Sequence, residues 1–171
     1  TVLGESWEMR DRSGVPEKLH ARREHYNAEV PTGVLLLTMG VDVQDNRLEF
    51  EIVGWNSEEE SWGILRGVIP GRADADGVWE ELDRLLDHEW KLKNGYALRV
   101  MATFIDSGGH FTEEVYKQCS KRAVRRVFAI KGEGGEGNAY VRLMKKSGKG
   151  GDVRFIISVD SGKEAILYAT T

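Results

Sequence analysis

The sequence predicts an α/β domain with a mixed central sheet, a three-strand antiparallel meander joined to parallel strands, flanked by helices. Two observations carry this expectation. Three strand-like runs, 33–43, 47–55 and 61–69, follow one another with only turn-length breaks. After them, strand-like runs at 98–105, 124–130 and 153–159 alternate with helical patterns, an order that right-handed crossovers convert into parallel neighbours.

Taken in order, residues 1–30 are polar and lack a clear period, which suggests a linker or surface arm with a short helix near Pro16–Tyr26; residues 31–171 form the folded domain. "QDNR" and "NSEEE" supply tight-turn chemistry between the first three strands. The second strand alternates cleanly, with Leu48, Phe50 and Ile52 on one face and Glu49 and Glu51 on the other. "PGRADADG" breaks the chain before a helix on which Val78, Leu82, Leu85, Leu86 and Trp90 recur at helical spacing, with Asp74 or Asp76 as its cap and Gly95 as its end. Thr112 is placed to cap a second helix, Glu113 and Glu114 suit its positive end, and Phe111 and Tyr116 suit a hydrophobic staple. The stretch 131–150, rich in Gly and Lys, reads as a loop or hairpin. Ser161 and Glu164 form an S-x-x-E capping box for a last helix. This succession is similar to that of RNase H-like domains.

The totals exclude several classes. At 171 residues the chain has room for one domain with a real core. No apolar run approaches membrane-spanning length, and the first residues do not read as a signal peptide. A lone Cys119 excludes a disulfide scaffold and a cysteine-based zinc site; it reads as a small apolar residue on a helix's inner face. The net charge of −4 conceals an asymmetry. Between Lys117 and Arg154 lie eleven basic and three acidic residues, a net of +8, against −12 for the remainder. That pattern fits either a phosphate-binding face or an ordinary solvated surface.

Three acids stand where chemistry is expected. Asp42, in "GVDVQDNRLEFEIVGW", interrupts an apolar run that reads as a buried strand, where an ionised carboxylate is costly unless paired or bound to a cation. Asp106 closes one strand pattern and Asp160 another. If these strands lie side by side in parallel, their carboxyl ends share one sheet edge, the usual ligand edge of α/β sheets. Three carboxylates there repel one another unless a divalent cation lies between them, and oxygen ligands without a His/Cys cluster select Mg²⁺ or Mn²⁺. Two such ions can activate a water and stabilise the leaving oxygen of a phosphodiester. Asp106 before "SGGH" and Asp160 before "SGK" fit turn and cap chemistry equally well. Lys163 is a candidate to contact a phosphate or orient the attacking water, and His110 to position water or substrate. Glu164 is a reserve third ligand, and Asp45 fits the hairpin turn. Trp55, Trp62, Trp79 and Trp90 read as core or edge packing.

The stretches "LTMGVDVQDNRLEFEIVGW", "ESWGILRGVIPG", "VWEELDRLL", "FIDSGGHFTEEVYKQCSKR" and "RVFAIKGEGG" together resemble the nuclease domain of the large terminase subunit of tailed bacteriophages, in the lambda-like branch. The resemblance covers almost the whole chain, and "TVLGESWE" resembles the segment that follows the packaging ATPase of that family. It implies an RNase H-like endonuclease that cuts concatemeric double-stranded DNA with two Mg²⁺ or Mn²⁺ ions. Carried over by position, the metal ligands are Asp42 in "GVDVQ", Asp106 in "IDSGGH" and Asp160 in "SVDSGKE". The implied partners are DNA, the small terminase subunit, the portal and the procapsid, with no membrane, in the host cytoplasm of a phage-encoded protein. Two other classes fit parts of the pattern. An actin/Hsp70-like nucleotide-binding fragment also uses D-x-G turns at strand ends, and a non-catalytic docking module needs only the +8 segment.

Overall fold

Alternation along the first strands decides which face of the sheet is buried. In the computed structural model, residues 28–135, 137–144 and 153–169 are described, together with Ala21. The arm expected over residues 1–30, with its helix near Pro16–Tyr26, lies outside them apart from Ala21, which is helical, and residues 28–30. In β1 (Leu36–Val43), Leu37, Met39 and Val41 point inward; in β2 (Arg47–Trp55), Leu48, Phe50 and Ile52 do so. With β3 (Ser61–Pro70) these strands form the expected antiparallel meander.

Two helices cover the inward face. Helix α1 (Asp76–Asp87) buries Val78, Trp79, Leu82 and Leu86, and α2 (Thr112–Lys121) buries Val115, Gln118 and Cys119. The apolar members of both sets join the β1 and β2 side chains, Ile105, Val127 and Ala129 in one core cluster. Cys119 is a packing residue, as its position suggested. Trp79 and Trp90 are buried, whereas Trp55 and Trp62 are half-buried. A part-buried ion network fastens α2 and the 3₁₀ turn Ala123–Arg125 to α1. Arg122 grips Asp83 through two nitrogens (2.9 and 2.7 Å), and Arg125 bonds Asp83 (2.8 Å) and Asp87 (2.5 Å).

The remaining strands complete the sheet. A small separate hairpin pairs β4 (Trp90–Lys91) with β5 (Ala97–Leu98). Next come β6 (Val100–Asp106), β7 (Val127–Glu133), β8 (Val141–Leu143) and β9 (Arg154–Ser158), followed by α3 (Val159–Ala169). Among the described residues the main sheet has seven strands in the order β3-β2-β1-β6-β7-β9-β8. Neighbours β1, β6, β7 and β9 are mutually parallel, and β8 is antiparallel to β9, so the 131–150 region contains a hairpin strand. A mixed sheet of this order, with its helices, is the α/β, RNase H-like architecture expected.

Local differences have local causes. Helix α1 stops at Asp87 because His88 is already extended, so Trp90 is buried from a strand and Gly95 (φ +88°) turns the small hairpin. Strand β7 starts at Val127 because the 3₁₀ turn and left-handed Arg126 (φ +56°) come first, leaving Val124 exposed. The N-cap positions of α1 and α2 fall on Ala75 and Phe111. Thr112 instead donates its hydroxyl hydrogen to the carbonyls of Ser107 and Gly109 (2.7 and 2.8 Å), while Phe111 and Tyr116 both pack on the core.

Candidate metal centre at the carboxyl edge of the sheet

Strand pairing brings Asp42 and Asp106 to one corner. Along β1 and β6, Gly40 lies beside Phe104 and Val41 beside Ile105, and the next residues are Asp42 and Asp106. Parallel neighbours in register present their side chains to the same face, one strand spacing of about 4.8 Å apart. Asp42 is exposed rather than buried. Because Leu37, Met39 and Val41 point inward, Thr38, Gly40 and Asp42 are forced to the other face, so the desolvation cost expected for an acid in this run does not arise.

Asp160 is placed differently. Strand β9 ends at Ser158, whose Oγ accepts the Ser161 backbone N–H (3.3 Å), an N-cap bond that starts α3 at Val159. Asp160 is therefore in the first helical turn, not at a strand end, and Ser161 lies inside the helix with its hydroxyl on Asn138 O (2.9 Å). The expected Ser161/Glu164 box is replaced by Ser158, a residue with the same chemistry three positions earlier. Strand β7 separates β9 from β6, and Ser158 stands beside Glu133 whereas Asp106 stands beside Ile130. Two strand spacings, about 10 Å, thus lie between the lines of Asp106 and Asp160. Among the described residues no three His, Cys, Asp or Glu side chains approach closely enough to hold one ion.

Each carboxylate is oriented through one oxygen. Gln44 Nε2 donates to Asp42 Oδ2, Gly108 N to Asp106 Oδ1 (3.0 Å), and Gly135 N to Asp160 Oδ2 (2.8 Å). The second oxygen of each has no hydrogen-bond partner among the described residues. Gly108 is suited to this close approach, since a Cβ there would lie 3.3 Å from Asp106 Oδ1. Lys163 and Glu164 are exposed on α3.

Sequence reasoning named His110 and put Asp45 in the hairpin turn, but missed that their loops meet beside the corner. His110 Nδ1 lies 2.9 Å from Asp45 Oδ1, joining the β6–α2 loop to the β1–β2 turn. Arg72 holds Asp74 through Nε and Nη2 (3.1 and 2.9 Å) and lies over the Phe111 ring, 5.2 Å from its centroid. The Asp74 carboxylate raises the Arg72 pKa, with a smaller contribution from Asp45, and Arg72 in turn lowers that of Asp74. The available signal was positional: Asp45 and His110 follow Asp42 and Asp106 by three and four residues.

The +8 segment is less basic in space than in sequence. Lys117 pairs with Glu114, Arg122 and Arg125 with acids of α1, and Arg142 with Glu133, while Arg154 stacks on Tyr116 (3.6 Å). Arg126 and Lys131 are exposed with no ion-pair partner among the described residues. Lys145, Lys146 and Lys149 lie outside them. No helix among the described residues is long and apolar enough to cross a membrane.

Similarity to known proteins covers the same span. Residues 1–170 match the family described as "Terminase large subunit gpA, endonuclease domain". The chain is 34% identical to the terminase large subunit of Escherichia phage lambda, an alignment that covers 100% of this chain and 27% of that protein. It is 32% identical to the terminase large subunit of Enterobacteria phage P21, covering 99% and 26% respectively. The chain thus spans about a quarter of the length of these curated relatives. No solved structure matches it significantly. With a family match across 170 of its 171 residues and an RNase H-like sheet carrying paired acids at its carboxyl edge, the chain belongs to the terminase large subunit gpA endonuclease-domain family.

Proposed function

We propose that this chain is the metal-dependent endonuclease domain of a viral DNA-packaging terminase and that it cuts concatemeric double-stranded DNA by two-metal phosphodiester hydrolysis. The observation that carries the reading is the pair Asp42 and Asp106, adjacent on parallel strands and facing the same way, in a chain of an endonuclease family. The donor set fits Mg²⁺ or Mn²⁺: hard carboxylate oxygens, with one oxygen of each acid oriented by the protein and the other left to coordinate. Asp42 and Asp106 would hold the ions, and Asp160, two strand spacings away, would have to be drawn in to serve as the third ligand. When bound, such ions activate a water and stabilise the leaving oxygen.

The chain's own contribution is position. Asp42 is held by a strand paired on both sides, and Asp106 is the last residue of β6, its carboxylate fixed by the Gly108 amide two residues on. Asp160 is tied to the Gly135 amide, so the glycine-rich loop after β7 sets its orientation. Lys163, three residues further along α3, contacts a DNA phosphate in this reading. The small terminase subunit, the portal and the procapsid are the proposed assembly partners, in the host cytoplasm of a phage-encoded protein.

Plasmid DNA incubated with the protein and Mg²⁺ or Mn²⁺ tests this directly. EDTA is expected to stop cleavage, and Asp42→Asn and Asp106→Asn each to slow it by two or more orders of magnitude. Undiminished cleavage by both variants overturns the assignment.

A further inference from the structure

Three loops beside the Asp42–Asp106 corner are tied to one another. Gly71 N of the β3–α1 loop donates to Asn46 O of the β1–β2 turn (2.8 Å). The β6–α2 loop lies against the end of β1, just before that turn, since a Cβ on Gly109 would sit 3.6 Å from Val43 O. At the tip, His110 meets Asp45, with the two side chains 85% and 77% exposed. A pair so exposed adds little to stability, so holding the fold does not explain it. Its effect is on the imidazole. An ionised carboxylate only accepts hydrogen bonds, so Asp45 fixes the proton on Nδ1 and leaves Nε2 as the ring nitrogen available to another molecule. When the ring is protonated, Nε2–H is a charge-assisted donor.

We propose that His110, oriented by Asp45, contacts a non-bridging phosphate oxygen of the DNA backbone beside the bond that is cut. The inference rests on the endonuclease reading above. His110 touches substrate in this scheme and Asp45 is a positioning residue; no proton is transferred. Besides Asp45, the charged groups on the elements around His110 include Arg72 and Asp74 on the β3–α1 loop, Asp42 and Asp106 at the ends of β1 and β6, and Glu113 and Glu114 in the first turn of α2. Arg72 puts a permanent cation on this rim, and the Asp45 charge acts on it as well.

The test is equilibrium binding of a short DNA duplex by the full chain, read by fluorescence anisotropy over a salt series in EDTA at about pH 6, within the range where imidazole changes charge. EDTA separates binding from cleavage. His110→Ala is expected to weaken binding and to reduce the slope of log K against log salt by about 0.9, the loss of one phosphate contact. His110→Arg is expected to restore the slope, and Asp45→Asn to weaken binding with the histidine still present. In steady-state cleavage with Mg²⁺, His110→Ala should raise KM severalfold with kcat within about twofold, the signature of lost uniform binding. Circular dichroism checks folding, and His110→Gln, which keeps a neutral polar side chain, provides the same comparison should the alanine variant not fold. Wild-type affinity and slope in the variant that removes the charge overturn the proposal. Cleavage by Asp106→Asn, run in parallel, separates the two readings. If that variant is inactive while His110→Ala binds normally, only the histidine contact is wrong; if it cleaves undiminished, the Asp42–Asp106 centre fails, and if the wild type itself shows no metal-dependent cleavage, the endonuclease reading fails.

Discussion

Asp42 is cheap to keep because it is exposed, and in the proposed centre its loss removes a metal ligand. Because its carboxylate remains solvated, Asp42→Asn should leave stability within about 0.5 kcal/mol of wild type, so lost cleavage in that variant reads as lost chemistry. The acid stood out in the sequence as an anomaly, yet the continuous apolar run Val34–Leu37 before it hid the alternation that turns it outward. The pairing of His110 with Asp45 was not legible, because 65 residues separate the two and only the sheet order brings their loops together. A second acid reports on attachment of the entering chain. Glu29 accepts the Lys91 backbone N–H (2.8 Å) and meets His88 Nε2 (2.9 Å), and these bonds, the Lys91 amide first, hold its carboxyl below the usual carboxylate range. A pKa lowered by folding gives stability that is complete above the unfolded value, near 4.3 for Glu, and is lost as pH falls through the folded value. Glu29→Gln should therefore be less stable than wild type at pH 7, by under about 1 kcal/mol after solvent screening, and the difference should close below about pH 4. Denaturant melts at the two pH values check this.

At the scale of elements, the start of α3 matters most. The S-x-x-E pattern put its cap at Ser161; the strand–helix junction uses Ser158 because β9 stops there, beside Glu133. Capping decides where the first turn begins, and Asp160 sits in that turn. Ser158→Ala should cost about 0.5–2 kcal/mol of stability, measured by denaturant unfolding, and should also slow cleavage by loosening Asp160. Strands β1, β2 and β3 were legible within a few residues, since their alternation and turns are local signals. Trp90 and Val124 were misplaced for the opposite reason. Each continues an apolar pattern, but an extended His88 and a left-handed Arg126 break the chain's direction first.

For the whole molecule, the sheet order supplies what no local pattern contains. It sets β1 against β6 and so brings together two aspartates 64 positions apart in the chain, while placing β7 between them and β9. The same long-range packing neutralises much of the +8 segment, because Asp83 and Asp87 of α1 reach Arg122 and Arg125 from outside it. Family membership, readable in "GVDVQ" and "IDSGGH", agrees with the architecture, and the chemistry now depends on whether the acids bind ions. Crystals of the protein soaked in Mn²⁺ and measured at the manganese absorption edge address that most directly. Anomalous density is expected between the carboxylates of Asp42 and Asp106, with Asp160 drawn in as a further ligand. Mn²⁺ bound only elsewhere, with these three side chains left uncoordinated at saturating metal, would contradict the proposed centre.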